Sequence, residues 1–393
     1  MELLTTKIYR EVDRAYKDGF TTLSAQGSAR CFAADTMIRM YDGRLKKVQD
    51  IRVGDKLMNI YGNGYNTVVN LHSGIDDLYN VKQNKGINYV VNSQHILSLK
   101  QTQTKGIKLA IQGYKSAEKR KYTYLEFDKE KIYNVTIKEF NQWSKKNKLL
   151  FTGFKNTMIN LPYIPILIDP YYLGLWLGDG VSSRPHEITN TDKEVLDWFY
   201  DFAKKLDSYA YKTSSDTSSH RIQICKDGHK NLALKGKTRK LRDNFRYYKL
   251  IMNKHIPDCY IYNSYNIRLQ VLAGIIDSDG YNTGKNTYCI TQKNKVILEG
   301  VLEICRLSGF YTRGIREFTS KMKRKNGSVY ESKSYSIEIN HSDFNDLNRY
   351  IKIERKKILN KNCKKNYFSS RLNIESIGKG EYYGFTLDKS PYF

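Results

Sequence analysis

Cysteine is scarce and dispersed in this chain. Its six residues (31, 225, 259, 289, 305 and 363) form no Cys-x-x-Cys pair. That excludes a zinc ribbon or a disulfide framework and fits a reducing compartment. No stretch approaches the ~18 consecutive apolar residues of a membrane-spanning helix. The first thirty residues lack the basic-then-apolar pattern of a secretory signal, so an unsecreted protein is expected. Acidic residues are also in short supply, with 40 Asp and Glu against 66 Lys and Arg, a formal net charge of +26. Aromatic side chains are plentiful: 32 Tyr, 15 Phe and 3 Trp supply core material that a disordered chain would not have. A length of 393 residues suggests two or three domains at ~150 residues each.

Such an excess of positive charge strains a compact fold by self-repulsion unless a polyanion neutralises it. Nucleic acid is the expected partner, an anionic membrane surface the alternative, and a merely solvated basic face the plainest reading. Two clusters carry the charge. Lys235, Lys237, Arg239, Lys240, Arg242 and Arg246 lie between His229 and Lys254, where Asp243 is the one acid and Phe245, Tyr247 and Tyr248 are interleaved. Lys321, Lys323, Arg324 and Lys325 directly precede Asn326-Gly327, a strong hairpin signal. A basic two-stranded ribbon of this kind fits a DNA major groove.

The pattern divides the chain. Residues 1–30 hold a short helix at Ile8–Tyr16 and a run of small polar residues, Ser24 to Arg30. Residues 31–160 read as short strands and turns: Thr36–Met40, Lys56–Ile60, Leu78–Gln83, Tyr89–Val91 and Ile96–Leu99. Leu161-Pro162-Tyr163-Ile164-Pro165 is a stiff connector. Beyond it an order repeats. An apolar helix ends in Asp179-Gly180, a strand follows at Glu187–Thr189, and an amphipathic helix runs over Asp192–Leu206. Then a second apolar helix ends in Asp279-Gly280, with a strand at Tyr288–Thr291 and a helix at Val296–Leu307. The two aspartates stand 100 positions apart. An internal duplication implies a pseudo-twofold α/β domain with one Asp from each half.

Gly174 and Gly178 are four apart on the first helix, and Gly274 and Ser278 occupy the same offsets on the second. A helical Gly costs about 1 kcal/mol against Ala, so helix formation alone does not favour these residues. Small residues at this spacing let two helix backbones meet, which brings Asp179 and Asp279 together at the negative ends of both helix dipoles. That arrangement calls for cations. Oxygen donors without His or Cys point to Mg²⁺ rather than Zn²⁺, with Asp179, Asp279, Gly178 and Ser278 around it. Metal held between carboxylates beside basic surfaces suits phosphodiester hydrolysis. Taken singly, each Asp-Gly is equally a helix stop.

These residues carry a family resemblance. Leu272–Gly280 (LAGIIDSDG) and Tyr172–Gly180 (YLGLWLGDG) make residues 161–371 resemble a two-motif LAGLIDADG homing endonuclease. The resemblance implies shared metal ions on Asp179 and Asp279, an active-site lysine at Lys254 within Asn253–Pro257, and a second lysine at Lys356 or Lys357, of which Lys357 is taken. It also implies cleavage of a long double-stranded site by a monomer.

Cys31, followed by Phe32, Asp35-Thr36, Asp42-Gly43 and Gly54-Asp55, resembles the start of an intein, or Hint, domain. Tyr89–Leu97 (YVVNSQHIL) resembles the second splicing block, with Asn92 in place of its usual Thr, and Glu381–Asp388 (EYYGFTLD) resembles the penultimate block. A Hint domain interrupted by a LAGLIDADG domain is the arrangement of large inteins. The resemblance therefore implies an all-β, horseshoe-like splicing domain from residues 31–160 and 372–393. In it Cys31 would attack the carbonyl of Arg30, His95 would protonate the leaving nitrogen and Asn92 would bind the scissile amide. The sequence ends at Ser390-Pro391-Tyr392-Phe393 without the family's terminal His-Asn, so the last strand and the downstream segment are expected as a separate piece.

On this reading residues 1–30 belong to a host protein. Gly27-Ser28-Ala29-Arg30 continued by Ser-Gly-Lys-Thr would complete a phosphate-binding loop. The segment resembles the beginning of a phage terminase large subunit, which implies the cytoplasm of a phage or virus host cell. Two rival readings are a DNA-binding module without catalysis and a hedgehog-like autoprocessing domain.

Overall fold

The structure, a computed structural model, describes residues 31–389 apart from 85, 103–106, 111–121, 126–130, 155–157, 216, 224–236, 285, 324–328 and 360–368. The helix expected at Ile8–Tyr16 lies outside the described residues, as do Lys235, Arg324 and Lys325.

The fold is mixed, with two cores. The first belongs to a β-rich lobe. Its main sheet takes β1 (Cys31–Ala33), β4 (Lys56–Met58), β5 (Tyr65–Gln83), β6 (Tyr89–Asn92) and β21 (Leu372–Leu387) in the order β21-β1-β6-β5-β4, and β21 also pairs with β5. A second sheet takes β7 (Ile96–Gln101), β10 (Tyr133–Thr136), β11 (Phe151–Phe154) and β20 (Ser369–Ser370) in the order β10-β7-β11-β20. Two hairpins complete the lobe: β2 (Met37–Arg39) with β3 (Leu45–Lys47), and β8 (Ile107–Ala110) with β9 (Tyr122–Leu125). Phe32, Val81, Val91, Leu97, Leu99, Phe151 and Phe385 share one core, so residues from both ends of the described chain build it. The strands β5 and β21 are far longer than the sequence pattern suggests. They form a twisted arm whose middle residues, such as Leu71 and Ile75, are exposed, so no alternation of buried and exposed residues marks its length.

The second lobe enters between β11 and β20 and contains the repeat. In its first half, α1 (Pro170–Asp179) leads into β12 (Gly180–Val181), β13 (Arg184–Thr189), α2 (Lys193–Lys205), β14 (Tyr209–Lys212), β15 (Ser219–Gln223) and α3 (Lys237–Tyr247). In the second half, α4 (Tyr265–Asp279) leads into β16 (Gly280–Asn282), β17 (Thr287–Gln292), α5 (Lys295–Leu307), β18 (Tyr311–Lys323) and β19 (Val329–Asn340). The two sheets have the same strand order, β12-β13-β15-β14 and β16-β17-β19-β18. The duplication is thus a topological fact. Two of the helix starts are locally specified. Asp169 caps α1 by accepting from Tyr172 N, with Pro170 in the first turn, and Asn294 caps α5 through Val296 N.

The first and fourth helices meet backbone to backbone. A Cβ on Gly174 would collide with Val271 O, and one on Gly274 with Tyr171 O. The apolar flanks Tyr172, Trp176, Leu272 and Ile275 are fully buried, so each helix is apolar nearly all round. The lobes touch as well. Arg39 on β2 pairs with Glu303 on α5, Arg44 lies 3.8 Å from Asp258, and Asn160 N donates to Gly62 O (2.6 Å).

Candidate active sites

The close crossing of α1 and α4 fixes the first site. Asp179 and Asp279 are the last residues of these helices. A Cβ on Gly178 would strike Ser278 Oγ and the Asp279 carboxylate, so the second aspartate lies against the first motif. Burial pushes the Asp179 carboxyl up to about 6, with the Asp279 charge adding to the shift and an Asn190 hydrogen bond opposing it. Asp279 is also raised by burial, against the pull of Lys254 and Lys356.

Each helix end is capped by an ammonium, half-buried at Lys254 and buried at Lys356. Lys254 Nζ donates to Leu177 O (3.0 Å), Gly178 O (3.4 Å) and Gly180 O (2.7 Å). Lys356 Nζ donates to Ile276 O (2.9 Å), Asp277 O (2.8 Å) and Ser278 O (3.4 Å). The lysines thereby satisfy final carbonyls of each helix and set positive charge at its negative end. Burial lowers the Lys254 ammonium to about 8 although both aspartates oppose the shift, and Lys356 is lowered by burial too.

Here the expectation for the second lysine needs correction. Lys357 turns away to pair with Glu354 (2.7 Å), and its neighbour Lys356 enters the site. A single 3-10 turn, Glu354–Lys356, decides which of two adjacent lysines points inward. Sequence reasoning also missed two amides. Asn190, one residue past β13, donates to Asp179 Oδ2 (2.6 Å), and Gln292, the last residue of β17, donates to Asp279 Oδ2. They occupy related places in the two halves.

The donor set is compatible with a hard divalent cation. It is all oxygen, and it holds two desolvated carboxylates whose mutual repulsion such an ion would relieve. The Gly178 and Ser278 carbonyls each lie 3.4 Å from a lysine Nζ and retain a second lone pair.

The basic clusters are placed around this centre as follows. Lys237, Arg239, Lys240, Arg242 and Arg246 lie on α3. Leu241 and Phe245 of that helix seal the first half's core while Lys240 and Arg246 face outward, and Arg246 pairs with Asp243 (3.2 Å). Lys321 and Lys323 lie at the far end of the long β18–β19 ribbon, where Lys321 is 3.7 Å from Glu331.

The second site is in the β-rich lobe. Cys31 on β1 is fully buried and pairs with Gly384 of β21, while Phe32 beside it pairs with Val91 of β6. Asn92 ends β6 and begins a turn closed by His95 N donating to Asn92 O (3.2 Å). The His95 ring is buried against Phe32, with centroids 5.0 Å apart. The fold thus brings Cys31, Asn92 and His95 into one neighbourhood. Asn92 Oδ1 is buried with no hydrogen-bond partner among the described residues, an acceptor open to an incoming N–H. The thiol is not ionised in advance: burial, then the Asp76 charge, pushes it up to about 11. Attack by this sulfur therefore has to be coupled to loss of its proton.

Residues 31–157 match the family model described as Hom_end-associated Hint, and residues 255–364 match the model described as Homing endonuclease. The chain carries a Hint domain and a homing endonuclease domain. The two matches fall on separate parts of the chain, each covering less than half of it. A curated relative, the replicative DNA helicase DnaB of Mycobacterium intracellulare, is 27% identical over 169 residues, which is 41% of this chain. The matched part covers 24% of that relative's length. Among solved structures, mesophilic variants of the homing endonuclease I-DmoI align at 16% identity over 47% of this chain and 93% of theirs, with a TM-score of 0.28. I-DmoI in complex with DNA and Mn aligns at 15% identity over 49% of this chain and 97% of that chain, with a TM-score of 0.26. The gp41-1 intein aligns at 20% identity over 27% of this chain and 86% of that chain, with a TM-score of 0.16.

Proposed function

We propose that the Homing endonuclease domain of this chain cuts both strands of a long DNA site with Asp179 and Asp279 as the metal-holding carboxylates. The observation that carries this reading is the pair of desolvated aspartates at the ends of two crossing helices, each end capped by its own lysine. Asp179 and Asp279 would hold Mg²⁺, which when bound would polarise the scissile phosphates and stabilise charge on the leaving oxygens. Lys254, with its ammonium lowered to about 8, is suited to exchange a proton near that centre. The excess positive charge of the chain supports a DNA partner. The test is cleavage of a plasmid carrying the uninterrupted host sequence, with Mg²⁺, by a chain acting as a monomer. Asp179→Asn or Asp279→Asn should abolish cleavage, at least ~10³-fold, while binding measured by mobility shift persists. Wild-type cutting of both strands by either variant sinks the reading.

In the Hint domain, the Cys31 sulfur bonds to the Arg30 carbonyl carbon and the C–N bond breaks. The released amine gains one proton from His95 and the thiol gives up one, which restores the imidazolium, so the step is proton-neutral. Asn92 Oδ1 supports this reading as an acceptor for the scissile amide. Residues 1–30 would then be part of a host ATPase in the host-cell cytoplasm, with a phosphate-binding loop restored on joining. The sequence of a spliced product tests this: joining Arg30 to anything other than Ser-Gly-Lys-Thr removes the loop.

A further inference from the structure

We propose that Asp76 is a positioning residue for the thioester step, bracing the turn that presents Asn92 and His95 to Cys31. This inference rests on the splicing reading above and extends it to a residue outside the splicing blocks recognised in the sequence. Asp76 lies on β5 opposite Gly380 of β21, two residues before the point where Leu78 pairs with Asn92. Its Oδ2 accepts from Ser93 Oγ (2.8 Å) and from Ser93 N (3.2 Å). Ser93 is the second residue of the 92–95 turn, and the bond from His95 N to Asn92 O closes that turn. The other carboxylate oxygen accepts from Asp77 N (2.8 Å), which fixes the orientation of the brace. Both oxygens are therefore committed, and the turn hangs from a carboxylate on the neighbouring strand. Two bonds to a charged acceptor hold more firmly than neutral ones.

The same carboxylate lies close enough to Cys31 to act on its thiol. The surrounding strands also carry His72 and Asp77 on β5, Lys379, Glu381, Tyr382 and Tyr383 on β21, and Tyr89 on β6, with His95 in the turn. Of these and Asp76, Asp76 is the group whose charge adds to burial in raising the thiol. The brace thus holds the acid and the amide ligand in place and keeps the nucleophile protonated until the step begins. A purely structural residue at this position would do only the first.

The test follows hydroxylamine cleavage at Arg30–Cys31 in the full chain against pH, with thermal melting as a fold check. Asp76→Ala removes both the brace and the charge, so it should lower the plateau rate about tenfold and move the pH profile to lower pH as well. Asp76→Asn keeps an oxygen for Ser93 and removes the charge. It should cleave near the wild-type plateau rate but with its pH profile moved to lower pH by roughly half a unit. Ser93→Ala, which leaves Asp76 charged, should slow cleavage a few-fold without moving the profile, and it decides the bracing role if Asp76→Ala does not fold. Unchanged rates in Asp76→Ala and Ser93→Ala, or an Asp76→Asn profile superimposed on wild type, overturn the proposal while splicing chemistry stands. A wild-type chain inert to hydroxylamine over the whole pH range removes the splicing reading and this role together.

Discussion

The two halves of the endonuclease domain share a strand order but not a degree of elaboration. In the first half, the position before Gly178 is Leu177, a buried apolar residue. Its counterpart in the second half is Asp277, buried yet fully bonded: it accepts from Tyr171 Oη (2.7 Å), Lys352 N (2.7 Å) and Ile353 N (3.3 Å). Asp277 therefore ties α4 both to α1 and to the segment that delivers Lys356. In the first half, Lys254 is steadied instead by the Trp176 ring, 4.9 Å from its ammonium. The ribbons differ too: β14 and β15 have 4 and 5 residues, while β18 and β19 have 13 and 12. Both halves place an Asp and a Lys at the helix crossing, and each half holds that pair in its own way.

Variants can break or sharpen this comparison. The largest effect is expected at the helix crossing where the halves meet. Gly274→Val would drive side-chain atoms into Tyr171 O and Leu175 N and add a β-branched residue within a helix, costing about 3 kcal/mol or more. Chemical denaturation should show loss of the endonuclease domain, and a variant melting like wild type would mean that the helices need not touch. Next comes the lysine pair. Lys356→Met should reduce cleavage about a hundredfold, whereas Lys357→Met should stay within a few-fold. Single-turnover kinetics on the same substrate would expose the reverse order, which would refute the assignment. The smallest effect is on stability. The folded-state carboxyl of Asp179 sits above its ordinary value, so the protonated acid favours the fold. That contribution is complete below about pH 4 and is lost as pH rises through about 6. Asp179→Asn should therefore stabilise the metal-free chain at pH 8 by on the order of 2 kcal/mol and leave it little changed at pH 4. Equal melting shifts at both pH values would contradict that origin.

The sequence makes the frame of this site readable because helix ends are punctuated. Asp-Gly closes each apolar helix, and Gly174 and Gly274 have no other reason to sit inside one. What holds the aspartates is harder to read. Asn190 lies eleven residues past its aspartate and Gln292 thirteen, so no common spacing announces them. Lys356 and Lys357 are chemically identical neighbours separated only by the local turn. Asp76 escapes for a similar reason, since its partner Ser93 is brought near by strand pairing and not by sequence distance. The cross-lobe contact of Arg39 with Glu303 leaves no local pattern either, because each residue reads as an ordinary surface charge in its own segment.

The point of insertion has a consequence of its own. The endonuclease domain leaves the β-rich lobe at β11 and returns at β20, and these strands are hydrogen-bonded neighbours, with Gly153 opposite Ser370. A folded insert whose two ends emerge side by side imposes little loop-closure entropy on its host, because folding of the insert already holds those ends together. The splicing fold therefore tolerates a whole enzyme as if it were a hairpin turn, and a short turn joining Phe154 to Ser369 should satisfy the same geometry. The whole insert enters and leaves the β-rich lobe through that one doorway.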